Sequence, residues 1–170
     1  SKTTLNKYSR QIVLKDVGII GQKKIFNSKI LVVGAGGLGS PVIDLLVRAG
    51  VGFLGVIEDD KVDYSNLHRQ TLYNSNDVGK YKSEVIKKKI KLINDKIKFK
   101  IFKERANDKN LDRILQKFDL IVDGTDNFPT KFTLNKYSLK YRKKLVVGAI
   151  SKFDGHIFSF DFSEKKVPCL

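Results

Sequence analysis

The sequence predicts an α/β fold: a Rossmann-like, mainly parallel sheet with flanking helices and an N-terminal helical segment. Short apolar runs typical of strands alternate with longer stretches in which apolar residues recur at helical spacing. A glycine-rich turn, GAGGLG at residues 34–39, stands between the first of these strands and the helix that follows it. The 170 residues are enough for one well-formed core. We therefore expect one domain over residues 29–170 and a helical arm, residues 1–28, that packs on it.

The first part of the sheet is predicted from residues 29–58. The run KILVVG at residues 29–34 ends in glycine and predicts the first strand. In the helix that follows, residues 40–49, the apolar side chains expected on one face are Val42, Leu45, Leu46 and Ala49. The run FLGVIE at residues 53–58 predicts the second strand, which completes a βαβ unit of about 30 residues.

The remaining elements continue the alternation. An amphipathic helix is predicted over residues 78–93, because its apolar residues recur at helical spacing and most of its lysines lie elsewhere. Further strands are predicted over residues 97–102, 120–122 and 145–150, with helices near residues 108–117 and 130–141. A last strand, residues 156–162, is expected to alternate between its two faces.

Composition and charge exclude several classes of protein. No apolar stretch approaches the roughly 20 residues of a membrane-spanning helix, and the polar start lacks the apolar centre of a secretory signal, so we expect a cytoplasmic protein without a membrane partner. A surplus of 33 basic over 18 acidic residues gives a net charge of +15, which would suit a nucleic acid. Only six of the 33 are arginine, however, and the lysines follow solvent-facing helix positions. We expect no nucleic-acid partner, while an acidic protein partner stays open.

The glycine-rich turn is the first candidate binding site. Gly34, Gly36, Gly37 and Gly39 fit the pattern G-x-G-x-x-G between a strand and a helix, where backbone N–H groups can approach a phosphate. Glu58 follows nineteen residues after Gly39, at the end of the second strand, where an acid can accept hydrogen bonds from ribose hydroxyls. The pattern alone does not distinguish a dinucleotide from ATP, and a turn that serves only helix packing is the alternative.

Polar residues after the second strand favour ATP over a dinucleotide. A triphosphate under attack builds negative charge that cations can offset, and Arg69 and Lys82 supply such cations. Asn66 and Gln70 can donate neutral hydrogen bonds beside them. For both cations a side chain that binds no ligand is the alternative; for Lys82 this would be a solvated side chain on a lysine-rich helix.

Two further polar residues follow the strand at residues 120–122. Asp126 and Asn127 stand at the carboxyl end of this strand, the edge where open α/β sheets bind ligands, and Asp126 suits a magnesium ion. Either residue could instead cap the next helix. We assign no catalytic role to His68 or His156, which are isolated from any nucleophile motif, and interpret Ser40 as a helix-start residue.

Together these motifs resemble the ubiquitin-activating-enzyme superfamily of adenylyltransferases, in its MoeB/ThiF branch. The segments that carry the resemblance are YSRQ at 8–11, GAGGLG at 34–39, EDDKVDYSNLHRQ at 58–70, VGKYK at 78–82, DGTDN at 123–127, and Gly155 with its flanking strands. They cover nearly the whole chain. The stretch GAISKFDG at residues 148–155 looks closer to the molybdopterin-synthase adenylyltransferases than to the thiamine-pathway ones.

The resemblance implies an activity and a role for each motif. Enzymes of this branch use Mg-ATP to adenylate the C-terminal Gly-Gly carboxylate of a ubiquitin-like sulfur-carrier protein. By resemblance, Glu58 would bind the ribose and Asp126 the Mg2+ ion. The remaining nucleotide contacts would come from Asn66, Arg69, Gln70, Lys82 and Asn127. Arg10 would reach the nucleotide site of a second subunit, which implies a homodimer, and would act in catalysis together with Arg69, Lys82 and Asp126.

Two positions depart from the family pattern. Glu58 stands where an aspartate is usual, so we expect ribose binding with altered geometry. The chain's single cysteine, Cys169, looks like the first zinc ligand of a Cys-x-x-Cys pair whose second member is missing. We therefore expect a chain truncated before its zinc-binding and carrier-binding part, with Zn2+ in the full-length protein only. Two other functions stay open: an NAD-dependent oxidoreductase that uses the same glycine turn, and a non-catalytic nucleotide-binding interaction protein.

Overall fold

Six strands form one sheet in the computed structural model, which describes residues 2–164. In chain order they are β1 (Lys29–Val33), β2 (Phe53–Ile57), β3 (Lys98–Phe102), β4 (Leu120–Asp123), β5 (Lys144–Ser151) and β6 (Asp154–Asp161). Their spatial order is β3-β2-β1-β4-β5-β6, and all neighbours are parallel except the β5–β6 hairpin, which is antiparallel. The expected Rossmann-like, mainly parallel sheet is confirmed.

Seven helices surround or precede the sheet in the described residues. They are α1 (Lys2–Lys7), α2 (Ser9–Ile12), α3 (Gly18–Asn27), α4 (Gly39–Ala49), α5 (Lys82–Ile93), α6 (Asp108–Ile114) and α7 (Phe128–Lys140). Short 3-10 turns cover Tyr64–Asn66, Ser75–Asp77 and Leu115–Lys117. None of the helices within residues 2–164 has the length and apolar character needed to cross a bilayer.

Each face of the sheet packs on its own pair of helices. Strand β1 is buried on both faces, as the continuous apolar run predicts. Ile30 and Val32 join the core under α4 and α5, whereas Leu31 and Val33 join the core under α6 and α7. The chain adds β2 and β3 on one side of β1, then crosses to add β4 and β5 on the other. The loops after β1 and β4 therefore meet at the point where the strand order reverses, which is where such sheets bind ligands.

Three predicted details are wrong. Helix α5 begins at Lys82 rather than at residue 78, because Gly79 takes a left-handed conformation (φ +81°) and Tyr81 forms a bridge to Lys61. Strand β6 is exposed over its first six residues instead of alternating between a buried and an exposed face. In α4 the fully buried apolar side chains are Ile43 and Val47, while Leu45 is 63% exposed. Leu45 is two residues from Ile43, about 200° away around the helix, and so faces away from the sheet.

The N-terminal arm is anchored at the edge of the sheet opposite the glycine turn. The Tyr8 ring packs edge-on against Phe26, with centroids 5.0 Å apart. The Tyr8 hydroxyl accepts a hydrogen bond from Asn94 Nδ2 (3.3 Å), and its ring covers Gly50 at the carboxyl end of α4. Gln22 adds a hydrogen bond from Nε2 to the Ala49 carbonyl (3.1 Å). These contacts fix α2 near the far end of α4.

Candidate functional site

A cleft of about 840 Å³ opens over the carboxyl edge of the sheet. Its walls come from the glycine turn after β1, the ends of β2 and β3, the turn after β4, and the β5–β6 hairpin. The cleft is large enough for a nucleotide. Within residues 2–164, its lining includes every site residue that the sequence predicts except Gly39 and Arg10. Gly39 lies directly behind the cleft as the first residue of α4.

The glycine turn needs glycine at its two ends for the sake of the fold. Gly34 has a φ of +83°, and a Cβ there would lie 3.1 Å from the Gly124 carbonyl oxygen. A Cβ on Gly39 would lie 1.9 Å from the Gly34 carbonyl oxygen, a distance that no side chain can occupy. The ends of this turn therefore bring β1, α4 and the turn after β4 into backbone contact.

The two central glycines leave space on the cleft side instead. The nearest atom to a Cβ on Gly36 would be Gln70 Nε2 at 3.7 Å, and for Gly37 it would be Arg69 Cδ at 3.5 Å. These are ordinary van der Waals distances, so glycine is not required there by the protein's own packing. Gly36 and Gly37 instead form a cradle beside Arg69 and Gln70 that a Cβ would fill, as a phosphate-binding turn requires.

Glu58 fixes this turn to the end of β2, a role that the sequence did not predict. The side chain is buried, and its Oε2 accepts a hydrogen bond from the Ala35 backbone N–H (2.8 Å). Its Oε1 accepts one from the Asp60 N–H (2.9 Å). Each carboxylate oxygen can accept a second hydrogen bond, so the predicted ribose contact is compatible with these bonds.

Tyr73 also stabilises the glycine turn, a role that the sequence did not predict. Its buried hydroxyl donates a hydrogen bond to the Ala35 carbonyl (3.0 Å). Burial, reinforced by the nearby charges of Glu58 and Asp60, raises the pKa of Tyr73 far above its ordinary value. The hydroxyl therefore keeps its proton and remains a donor. Only the folded structure brings it to the turn, from 38 residues away in sequence.

The cation on α5 is buried, contrary to the alternative of a solvated lysine. Lys82 is 5% exposed as the first residue of α5. Its Nζ lies 3.2 Å from Asp60 Oδ2 and 3.9 Å from Glu58 Oε2. Lys82 therefore enters the cleft already paired with two carboxylates.

Arg69 lines the same cleft without a carboxylate partner in residues 2–164, and its Nη1 lies 3.4 Å from His68 Nε2. Its guanidinium donates to Asn66 Oδ1 (3.2 Å) and to the Ser65 carbonyl (3.4 Å). Gln70 Nε2 donates to the same Asn66 oxygen (2.9 Å). Gln70 Oε1 is buried and has no hydrogen-bond partner within the described part of the chain. A buried amide oxygen without a donor is costly, so this position favours a ligand that supplies one.

In the turn after β4, Asn127 caps the next helix, whereas Asp126 does not. Asn127 Oδ1 accepts a hydrogen bond from the Thr130 N–H (3.0 Å) and is the N-cap of α7. Asp126 is exposed on the cleft and makes no side-chain hydrogen bond with residues 2–164. Its carboxylate stays available as an oxygen ligand for a hard cation. The nucleotide contact expected of Asn127 stays a prediction.

Carboxylates on the other side of the cleft add to this oxygen-donor set. Glu58, Asp59 and Asp60 each present an oxygen within 4.8 Å of the others. Asp59 and Asp60 are exposed and line the cleft, as does Asp126. Oxygen donors of this kind fit Mg2+, which keeps several waters and takes few protein ligands.

A buried ion pair next to the turn after β4 was not predicted from the sequence. Lys131 Nζ lies 3.3 Å from Asp123 Oδ2 and donates to the Gly148 carbonyl (2.8 Å). Asp123 is 1% exposed and Lys131 6%. The available signal was a lysine in the second turn of the helix that follows DGTDN, but a lysine there is indistinguishable from a solvated one without the fold.

Arg10 is not brought to the cleft. Arg10 is exposed on α2, two residues from Tyr8, which packs at the carboxyl end of α4. The glycine turn lies at the other end of that helix, whose 11 residues span about 16 Å. Arg10 therefore lies outside its own cleft. Cys169, the expected zinc ligand, falls outside the described residues 2–164.

Several relatives match nearly all of the chain. A sulfur carrier protein adenylyltransferase of Thermus thermophilus is 44% identical over 160 residues, which make up 94% of this chain and 59% of that protein. A probable molybdopterin-synthase adenylyltransferase of Gracilaria tenuistipitata var. liui is 41% identical over 162 residues, 95% of this chain and 46% of that protein. The chain thus spans about half the length of these relatives.

Solved structures share the fold. The E. coli tRNA N6-threonylcarbamoyladenosine dehydratase TcdA, solved in complex with ATP, has a TM-score of 0.81 at 25% identity, over 86% of this chain and 60% of that one. E. coli MccB, solved with MccA-N7isoASN, has a TM-score of 0.78 at 30% identity, over 86% and 44%. Residues 8–170 match the ThiF family, and with nearly the whole chain matched, the chain belongs to that family.

Proposed function

We propose that the chain is the nucleotide-binding part of an enzyme that adenylates the C-terminal Gly-Gly carboxylate of a ubiquitin-like sulfur-carrier protein. The products are an acyl-adenylate and pyrophosphate. One observation carries the proposal: Arg69, Lys82 and the carboxylate of Asp126, which has no hydrogen-bond partner within residues 2–164, line the same cleft as an open glycine cradle. The names of the two relatives support the same reaction. No feature of the cleft favours hydride transfer to a nicotinamide.

Phosphate binding follows from the donors around the cradle. The space beside Gly36 and Gly37 admits the triphosphate next to the N-terminus of α4, whose free N–H groups favour an anion. Arg69 offers a planar pair of donors and Lys82 a point charge. Ribose hydroxyls reach Glu58 at the end of the neighbouring strand, where each carboxylate oxygen has a remaining lone pair.

Catalysis then rests on positioning and electrostatics. The carrier carboxylate is ionised at neutral pH, so it needs no general base before it attacks the α-phosphorus. Arg69 and Lys82 stabilise the charge that builds on the departing pyrophosphate. Asp126 would hold Mg2+, with the cleft carboxylates near Glu58 on the opposite wall. When bound, this ion supplies further neutralisation of phosphate charge.

The apolar rim of the cleft suits the carrier's tail. Phe128 and Ile150 line the cleft and are 72% and 65% exposed, and Phe153 at the tip of the β5–β6 hairpin is fully exposed. An extended C-terminal segment that enters here passes the hairpin and ends beside Asp126. The net charge of +15 complements an acidic carrier.

A homodimer would complete the site with Arg10. This side chain lies at the wrong end of α4 to serve its own cleft, which supports a role in the cleft of a twofold partner. Apolar side chains close to it are exposed in the single chain: Val13 is 74% exposed, Leu14 55% and Ile20 74%. A partner subunit would cover them. Zinc binding through Cys169 in the full-length protein stays a separate prediction.

Pyrophosphate exchange tests the reaction directly. The full-length protein is incubated with Mg-ATP, labelled pyrophosphate and purified ubiquitin-like proteins that end in Gly-Gly. We expect label to enter ATP with one such carrier, and no exchange with the same carrier lacking its last glycine. ATP binding without exchange for every Gly-Gly carrier would favour the interaction-protein alternative. Hydride transfer from NADH would favour the oxidoreductase.

A further inference from the structure

The buried Lys131–Asp123 pair has no part in the proposed contacts with ATP. Asp123 Oδ1 accepts hydrogen bonds from the Thr125 N–H (2.9 Å) and hydroxyl (2.7 Å), and Oδ2 faces Lys131 Nζ. Lys131 also donates to the Gly148 carbonyl. The pair thereby joins the end of β4, the turn that follows it, strand β5 and helix α7. Without its partner, either charge would be buried and uncompensated, which is strongly destabilising.

The turn that this pair stabilises carries Asp126. Thr125, on one side of Asp126, is hydrogen-bonded to Asp123, and Asn127, on the other side, caps α7. The Asp126 side chain makes no hydrogen bond of its own with residues 2–164. The direction of its carboxylate is therefore set by the backbone of a turn whose two flanks are fixed.

We propose that Lys131 and Asp123 are positioning residues that hold Asp126 in the orientation in which it binds Mg2+ with ATP. This inference rests on the proposed function. A plain role in stability is the competing explanation, because a buried ion pair between α7 and the sheet could serve the fold alone. The two explanations differ in Mg2+ dependence: a structural role changes ATP binding with and without the ion alike, whereas a positioning role affects only the contribution of the ion.

The test measures ATP affinity by calorimetry, in Mg2+ and in EDTA, on full-length protein. Lys131→Met removes the charge at similar volume, Lys131→Arg keeps it, and Lys136→Met is the matched control, because Lys136 is on the same helix but pairs with Asp108 on the exposed surface. We expect Mg2+ to increase the affinity of the wild type for ATP, and Lys131→Met to reduce this increase about tenfold, as for other residues that orient a metal ligand. Affinity in EDTA stays at the wild-type value, Lys131→Arg restores most of the loss, and Lys136→Met changes neither.

The neutral double variant Asp123→Asn/Lys131→Met covers the case in which Lys131→Met does not fold, since it leaves no unpaired buried charge. The double variant is expected to bind Mg-ATP as weakly as ATP in EDTA. An intact Mg2+ effect in either folded variant, or a wild-type ATP affinity that does not respond to Mg2+, would overturn the positioning role. A wild-type protein that shows the Mg2+ effect but exchanges no pyrophosphate would overturn the proposed function alone.

Discussion

Substituting Gly37 by alanine separates what the glycine turn does for ATP from what it does for the fold. The new Cβ would meet its nearest neighbour, Arg69 Cδ, at 3.5 Å, and the φ of Gly37 lies outside the left-handed region. A glycine-to-alanine change at a compatible position stabilises a protein by about 0.4–1 kcal/mol, because the unfolded chain loses freedom. The free energy of unfolding should therefore stay the same or rise slightly.

The same methyl group should weaken ATP binding. It would occupy the cradle beside Arg69, where a phosphate oxygen would otherwise approach the backbone. The loss of one hydrogen bond to a charged group costs about 1.5–3 kcal/mol, which corresponds to an increase of about 10- to 150-fold in the dissociation constant. Gly39→Ala is the contrasting variant, since its Cβ would lie 1.9 Å from the Gly34 carbonyl oxygen. We expect Gly39→Ala to lose about 3 kcal/mol or more of stability.

Thermal unfolding and ATP calorimetry on the three proteins check both quantities. The expected pattern is a wild-type Tm with weak ATP binding for Gly37→Ala, and a strongly lowered Tm for Gly39→Ala. Wild-type ATP affinity in a folded Gly37→Ala protein would refute the argument, because the phosphates would then lie elsewhere in the cleft. A lowered Tm for Gly37→Ala would show that this glycine serves packing instead.

Three further predictions follow from the site and the surface. Full-length Arg10→Ala and Asp126→Ala proteins should each lose pyrophosphate exchange at unchanged Tm. Heterodimers of the two variants should regain this activity, because one of their two sites then has neither defect. No recovery in heterodimers verified by mass spectrometry would mean that Arg10 acts in its own cleft or has only a structural role. Glu58→Ala should make ATP and 2′,3′-dideoxy-ATP similar ligands and also lower Tm, since the Ala35 and Asp60 N–H groups lose their acceptor; preserved discrimination in calorimetry would remove Glu58 from the ribose site. Hydrogen bonds from Lys140 and Tyr141 lower the pKa of Asp112 below its ordinary 3.8, so their stabilisation is complete above that pH and disappears as pH falls through the folded-state pKa. Tm should therefore decline less on acidification in Asp112→Asn than in the wild type, and parallel Tm–pH curves would contradict this.

Local patterns in the sequence predicted the parts of the site that local chemistry builds. The glycine turn, Glu58 at the end of β2 and Asp126 after β4 each follow directly from a strand, and carboxyl ends of parallel strands share one edge of the sheet. The predicted start of α5 was wrong because local spacing alone was used. Helical spacing extends back to Val78, but the left-handed conformation of Gly79 and the bridge from Tyr81 to Lys61 keep the chain out of the α-helical conformation until Lys82.

The residues that support the site could not be predicted in this way. Tyr73 reaches Ala35 across 38 residues, and Lys131 meets the Gly148 carbonyl on a neighbouring strand. Neither residue belongs to a pattern with a fixed spacing, because what places it is the packing of one element on another. Glu58 shows the same limit, since its position predicted a ligand contact but not the two backbone N–H groups that it already holds.

Whether Lys82 and Arg69 have carboxylate partners decides how each side chain can act on the phosphates. Lys82 is buried between Asp60 and Glu58, so an incoming triphosphate must share that charge with two carboxylates. Arg69 is exposed and has no carboxylate partner within the described residues, so its charge is available to the ligand. Lys82 thus offers an ammonium group that is already held in place in a low-dielectric part of the cleft, so its side chain needs little reorganisation when the ligand binds. Arg69 contributes uncompensated positive charge, as does the exposed Arg105 in the lining of the same cleft, and these charges make ATP binding depend on ionic strength.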